Sequence, residues 1–220
     1  MIMVNTIIFD LDGTLLYTLQ DLCDSTNYTL REFNMPERTI DEVKSFVGNG
    51  VKNLIRRAAA RETSEETIEE MFSCFKAYYD IHCMDKTKEY DGITDVLETL
   101  HERGYKLAIV SNKVDSAVKE LNKEFFSKYI TTAIGEKKGV RRKPAPDTVN
   151  EAMKELGVTP EEVIYVGDSD VDIATAGNAG VPVISVLWGF RERDFLEKCG
   201  ATTFVEKPLE LLDLFQPLNS

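Results

Sequence analysis

From Tyr90 onward the chain alternates helix-period apolar stripes with short β-rich runs, a pattern that few architectures satisfy. Ile93, Val96, Leu97 and Leu100 recur at helical spacing and stop at Gly104, and residues 106–110 follow as a strand-like run. Val114, Val118, Leu121 and Phe125 lead in the same way to a run at 131–134. Val149, Ala152, Met153 and Leu156 end at Gly157 before a third run at 163–166. A helix over 173–179 then precedes a run at 183–187, and a last short strand is expected at 203–205. Connections of this length suit parallel crossovers. The expected fold class is therefore α/β, a doubly wound parallel sheet.

The N-terminal part reads differently. Thr6–Phe9 is a buried strand that opens into a Gly-Thr turn at Gly13 and Thr14. Leu19, Leu22, Cys23, Thr26, Leu30 and Phe33 then form one helical stripe, stopped by Asn34 and Pro36. Thr39 and Glu42 make a capping-box pair for a short helix. Val51, Leu54, Ile55 and Ala58 repeat the stripe, and Ile68, Met71, Phe72, Phe75, Tyr79 and His82 extend it over nearly four turns. The expected organisation is an α/β core from residues 1–15 and 89–220, interrupted by an all-helical insertion at 16–88.

Charge narrows the partners. Lys plus Arg number 26 and Asp plus Glu 38, a net charge of −12 that disfavours a broad nucleic-acid or anionic-membrane surface. A small phosphorylated ligand held in one basic spot is compatible with it. Cys23, Cys74, Cys83 and Cys199 lack metal-ligand spacing, which suits reduced thiols in a cytoplasmic protein. Met1–Asn5 has no basic region of the kind that opens a signal peptide, and no apolar stretch approaches a membrane span of about 20 residues. A monomer or homodimer is expected.

Chemistry concentrates where strands end. Asp10 and Asp12, in Asp10-Leu11-Asp12-Gly13-Thr14, are i and i+2 on an extended segment and point the same way. A second acidic group, Gly167-Asp168-Ser169-Asp170-Val171-Asp172, follows another apolar strand. Asp168 and Asp172 share a face if a helix begins there. At about 4 Å and an effective dielectric of about 20, each pair of like charges costs roughly 4 kcal/mol, so several such carboxylates call for a hard cation such as Mg²⁺. Lys143 before Pro144, and Ser111-Asn112 at the end of the 106–110 run, are candidates to assist an anion. Each of these alone is ordinary surface or turn chemistry.

Together the four segments resemble the haloacid dehalogenase superfamily of phosphohydrolases. Asp10-Leu11-Asp12-Gly13-Thr14 is similar to its first motif, Ser111 to the second, Lys143 to the third, and the Gly167–Asp172 stretch to the fourth, in the family's order. The resemblance implies that Asp10 is the nucleophile and forms an aspartyl-phosphate. Asp12 is implied to be the general acid and base. It further implies Mg²⁺ held by Asp10, the Asp12 carbonyl and Asp168, with Asp172 in support. Ser111 and Asn112 would donate to the phosphoryl group, and Lys143 would neutralise it and orient Asp10.

The helical insertion resembles the family's α-helical cap. Phe46-Val47-Gly48-Asn49-Gly50-Val51 with Arg56 looks like the cap segment of phosphoglycolate-phosphatase-type members, making Gly48, Asn49, Gly50 and Arg56 candidate substrate contacts. A flexible loop with solvated arginines is the competing reading. Gly48-Asn49-Gly50 lacks the third glycine and the preceding strand of a dinucleotide site. Tyr17 departs from the family pattern, which commonly has an acidic residue there, so substrate does not follow by analogy. Phosphoglycolate is the substrate expected, with a phosphosugar mutase, a pyrophosphatase and a non-enzymatic phosphate-binding module as alternatives. The basic run 137–143 is expected to deliver Lys143 while its other charges face solvent or attract an anion, and His82 and His101 are expected to be structural.

Overall fold

The computed structural model describes residues 4–218; Met1–Met3 of the N-terminal reading lie outside them. The chain divides into two compact units, one formed by residues 1–16 and 89–220 and the other by Tyr17–Lys88.

The first unit is built on a six-stranded sheet in the order β5-β4-β1-β6-β7-β8. Its strands are β1 (Thr6–Phe9), β4 (Lys106–Val114), β5 (Thr132–Glu136), β6 (Val163–Gly167), β7 (Val183–Val186) and β8 (Phe204–Val205). Every neighbouring pair is parallel, with Ile8 in register with Ala108 on one side and Tyr165 on the other. The order runs one way from β1 through β4 to β5 and the other way through β6, so β1 sits at the point where the winding reverses. Ligands of open α/β sheets bind outside the carboxyl ends of strands at such a point. β1 is fully buried, as a central strand covered on both faces must be. Ile7 and Phe9 pack into an apolar cluster with α5 (Ile93–Glu102), through Val96, Leu97 and Leu100. Ile8 faces the opposite cluster, which holds Val149, Ala152 and Met153 of α7 (Asp147–Leu156).

The structure redraws several expected boundaries. β4 runs to Val114, with a register shift against β5 between Val110 and Val114, because Ser111 to Val114 leave the regular ladder. The following helix, α6 (Asp115–Leu121), is correspondingly short and gives way to a π-helical turn at Asn122–Phe126. β5 begins and ends slightly later than the 131–134 run. α8 (Asp170–Ala179) starts before the expected residue 173, because Ser169 caps it by accepting from the Asp172 amide. Two further helices, α9 (Arg193–Lys198) and α10 (Leu211–Leu214), carry no strong stripe in the sequence.

The second unit contains α1 (Leu19–Glu32), α2 (Ile40–Phe46), α3 (Val51–Ala58) and α4 (Glu65–His82). Thr39 and Glu42 form the expected capping box, and Ser64 caps α4. Asp21, buried in the first turn of α1, accepts from the backbone amides of Lys86 at 3.0 Å and Thr87 at 2.8 Å, holding the end of the unit to its beginning. The chain crosses between the units at β2 (Leu16–Tyr17) and β3 (Lys88–Glu89), which pair as a two-stranded sheet. Among the described residues no helix is long and apolar enough to cross a membrane.

Candidate active site

β1 delivers Asp10 to the carboxyl edge of the sheet, where the Asp10 amide still donates to Val166 O at 2.9 Å. The chain then turns tightly. Leu15 and Leu16 amides both return to Leu11 O, and Gly13, at φ 91°, donates to Leu16 O. Trp188 locks this turn from the β7 side, its Nε1 donating to Thr14 O at 2.9 Å. A backbone so tied holds the two carboxylates of the dyad where the central strand opens.

Lys143 is the hub. Its side chain is only 3% exposed, and Nζ donates to Asp10 Oδ1 and Asp172 Oδ1, each at 2.7 Å, and to Tyr165 OH at 3.0 Å. Tyr165 OH in turn donates to Asp172 Oδ1 at 2.8 Å. Burial alone would push the Lys143 ammonium toward losing its proton, but Asp10 and Asp172 outweigh it and raise the group well above the ordinary lysine range. Asp172 is further fixed at Oδ2 by the Ser169 hydroxyl at 2.6 Å and amide at 3.1 Å. With both oxygens engaged, it is suited to support rather than direct ligation.

Asp168 is placed differently from the sequence reading. α8 starts two residues later, so Asp168 lies outside the helix and does not share a helical face with Asp172. It nonetheless joins the group, because oxygens of Asp10, Asp168 and Asp172 lie within 4.8 Å of one another. Phe190 amide donates to Asp168 Oδ2 at 2.6 Å, and the Thr14 hydroxyl meets Oδ1 at a long 3.5 Å. Two glycines make room for it. A Cβ on Gly189 would lie 2.3 Å from Asp168 Cβ, and one on Gly13 would lie 2.5 Å from Asp168 Oδ2.

Burial and the neighbouring Asp172 push Asp168 up to about 7, and burial followed by Asp172 raises Asp10 well above the usual carboxylate range despite Lys143. With all three carboxylates ionised, the cluster would hold more negative charge than its lysine offsets, which is why their protons are held so tightly. An oxygen-only donor set, buried and short of positive charge, fits a hard divalent cation better than a soft metal.

Asp12 stands at the edge of this group. Ser111 Oγ donates to Asp12 Oδ2 at 3.4 Å, and Lys113 Nζ lies 3.2 Å from Asp12 Oδ1. That separation is an ion pair without hydrogen-bond alignment, since Asp12 Oδ1 is buried yet accepts no hydrogen bond. Asn112, expected to donate to a phosphoryl group, directs its amide elsewhere. Its Nδ2 donates to Lys143 O at 3.0 Å and its Oδ1 accepts from Lys143 N at 2.7 Å. It clamps the backbone of the loop that carries the lysine.

The remaining candidates lie in the helical unit. Gly48 and Gly50 flank the turn before α3 at φ 121° and 80°. Asn49 Oδ1 accepts from Arg57 at 2.6 Å, and Arg56 is forked onto Glu65 at 2.7 and 3.2 Å. The structure thus gives Asn49 and Arg56 partners within their own unit.

Sequence reasoning passed over Lys113, Tyr165, Trp188, Gly189 and Phe190. Lys113 carried a readable signal, being i+2 from Ser111 on an extended segment and so on its side. Tyr165 and Trp188 act through single polar atoms of largely apolar side chains, and Phe190 through its amide.

This constellation on a parallel sheet belongs to the haloacid dehalogenase-like hydrolases: the model of that family matches residues 7–186, and the chain is a member. Among named relatives, the phosphoglycolate phosphatase of Aquifex aeolicus is 34% identical over 188 residues, covering 85% of this chain and 86% of that protein. Pyrophosphatase PpaX of Anoxybacillus flavithermus is 32% identical over 216 residues, covering 96% of each. A solved structure from Lactobacillus delbrueckii subsp. bulgaricus superposes with a TM-score of 0.92 at 36% identity, over 97% of this chain and 99% of that one.

Proposed function

We propose that the protein is a cytoplasmic, Mg²⁺-dependent phosphatase that hydrolyses a small phosphate monoester through an aspartyl-phosphate on Asp10. The observation that carries this reading is the convergence of Asp10, Asp168 and Asp172 within 4.8 Å, with Lys143 bridging Asp10 and Asp172. Asp10, the Asp12 carbonyl and Asp168 would hold the cation, with Asp172 in support. When bound, the cation supplies charge neutralisation for the incoming phosphoryl oxygens.

The protein groups carry the steps. Lys143 occupies Asp10 Oδ1, so Oδ2 is the oxygen we assign to attack phosphorus. The new Asp10–phosphorus bond forms as the ester P–O bond breaks, and Asp12 delivers a proton to the leaving oxygen. Water, giving its proton to Asp12, then attacks phosphorus and releases phosphate and Asp10. Ser111 keeps Asp12 in reach, and Lys143 stabilises charge on the transferring group. Asn112 is a positioning residue, acting through the Lys143 backbone. To the unit Tyr17–Lys88 we assign the cap's work of excluding water.

2-Phosphoglycolate is the leading substrate, supported by the Aquifex relative. Pyrophosphate is the second, supported by the PpaX relative, which matches a larger share of the chain. Assays of both substrates and a hexose 1-phosphate, with and without EDTA, test the reading. Metal-dependent phosphate release is expected, and a hexose 6-phosphate product would indicate a mutase instead. Asp10→Asn keeps the shape and removes the attacking charge, so turnover should fall by about 10³-fold or more with the fold retained. Full activity in that variant would reassign the nucleophile.

A further inference from the structure

Among the described residues of the first unit, two lysines are buried, and the roles above leave Lys113 unassigned. Lys113 is the last lysine of β4, its side chain is 5% exposed, and its Nζ sits 3.2 Å from Asp12 Oδ1. Lys143 meets the first aspartate of the dyad and Lys113 the second. Ser111 and Lys113 lie at alternate positions and reach the two oxygens of the same carboxylate.

Resting on the phosphatase reading, in which Asp12 touches the leaving oxygen, we propose that Lys113 is a specificity-determining residue. It favours leaving groups that carry their own negative charge, a carboxylate or phosphate close to the bridging oxygen. The geometry sets the range. If one oxygen of Asp12 is hydrogen-bonded to the leaving oxygen, an ammonium beside the other lies about 5–7 Å from it. A carboxylate or phosphate attached there comes within Coulombic reach of Nζ, whereas a neutral alcohol offers that charge nothing. At an effective dielectric of about 20 to 40, an attraction over about 6 Å corresponds to roughly 10- to 100-fold in kcat/KM. The cation is desolvated, so salt screens it less than a surface lysine.

The test is the selectivity between 2-phosphoglycolate or pyrophosphate and ethyl phosphate, whose leaving alcohol is neutral, in wild type, K113M and K113R. The ratio of kcat/KM for anionic over neutral leaving groups should fall roughly 10- to 100-fold in K113M and be largely restored in K113R. K113Q replaces K113M if the latter melts below the assay temperature. A parallel fall on all three substrates would overturn the proposal in favour of a merely structural pairing with Asp12, and an unchanged ratio would overturn it as well. Inactivity of the wild type on every one of these substrates would instead defeat the phosphatase reading. In that event calorimetric binding to the Asp10→Asn protein decides: a preference for the anionic esters that K113M removes supports the role of Lys113, and the lack of such a preference rejects it.

Discussion

Stripped of divalent cations, the protein should lose stability as pH rises from 5 to 8, opposite to the usual behaviour of a domain held by paired carboxylates. The reason is Asp168. In the folded chain, burial and then the neighbouring Asp172 push its carboxyl up to about 7, against an ordinary value of 3.8. Below about pH 4 both folded and unfolded states carry the proton, and the group has no effect on the balance. Between about 4 and 7 the unfolded chain has released the proton and the folded chain retains it, so each pH unit costs about 1.4 kcal/mol. From pH 5 to 8 this amounts to about 3 kcal/mol. For a chain of this size that is a fall of about 6–12 °C in melting temperature. Asp10, also raised, pushes the same way. Thermal melts in EDTA across that range measure the slope. Mg²⁺ should raise the melting temperature more at pH 8 than at pH 5, since it competes with protons for the same oxygens. Asp168→Asn should flatten the slope. A melting temperature that is level or climbs toward pH 8 in EDTA would refute the account, as would an equal slope in Asp168→Asn.

Two backbone features give further predictions. Gly189→Ala places a Cβ 2.3 Å from Asp168 Cβ and 2.5 Å from Gly13 O, so the acidic group must shift. Overpacking of this kind costs about 1–3 kcal/mol, and the variant should need more Mg²⁺ for half-maximal activity, which a metal titration measures. Asn112→Ala removes both hydrogen bonds to the Lys143 backbone. It should lower kcat more than it raises KM and cost about 1–3 kcal/mol in urea melts; an unaltered kcat would deny the clamp.

The sheet was legible because its strands are short apolar runs bounded by helical stripes, and the acidic motifs sit at their ends. The four segments meet because β1 lies between β4 and β6, an adjacency that linear spacing does not state but the parallel topology supplies. What escaped the sequence is chemistry done by parts that side-chain identity does not reveal. The Phe190 amide holds Asp168, the Trp188 indole N–H holds the first turn, and a tyrosine within an apolar strand completes the Lys143 network. The contact of Asn112 with the Lys143 backbone escaped for a related reason. Its residue type suits an anion donor, but its geometry matches a free backbone amide and carbonyl equally well, and the Lys143 loop provides both. The start of α8 slipped because Ser169 caps more effectively than the apolar pattern suggests, which left Asp168 in the loop.

The position of β1 also bears on how the molecule is made. Among the described residues its sheet partners are β4, which ends at Val114, and β6, which ends at Gly167. As the polypeptide leaves the ribosome, the apolar segment Thr6–Phe9 must wait for about three quarters of the chain before both its edges are satisfied. The helices of Tyr17–Lys88, whose contacts are largely their own, emerge during that wait. This strand thus gains its second sheet partner only once β6 has been made.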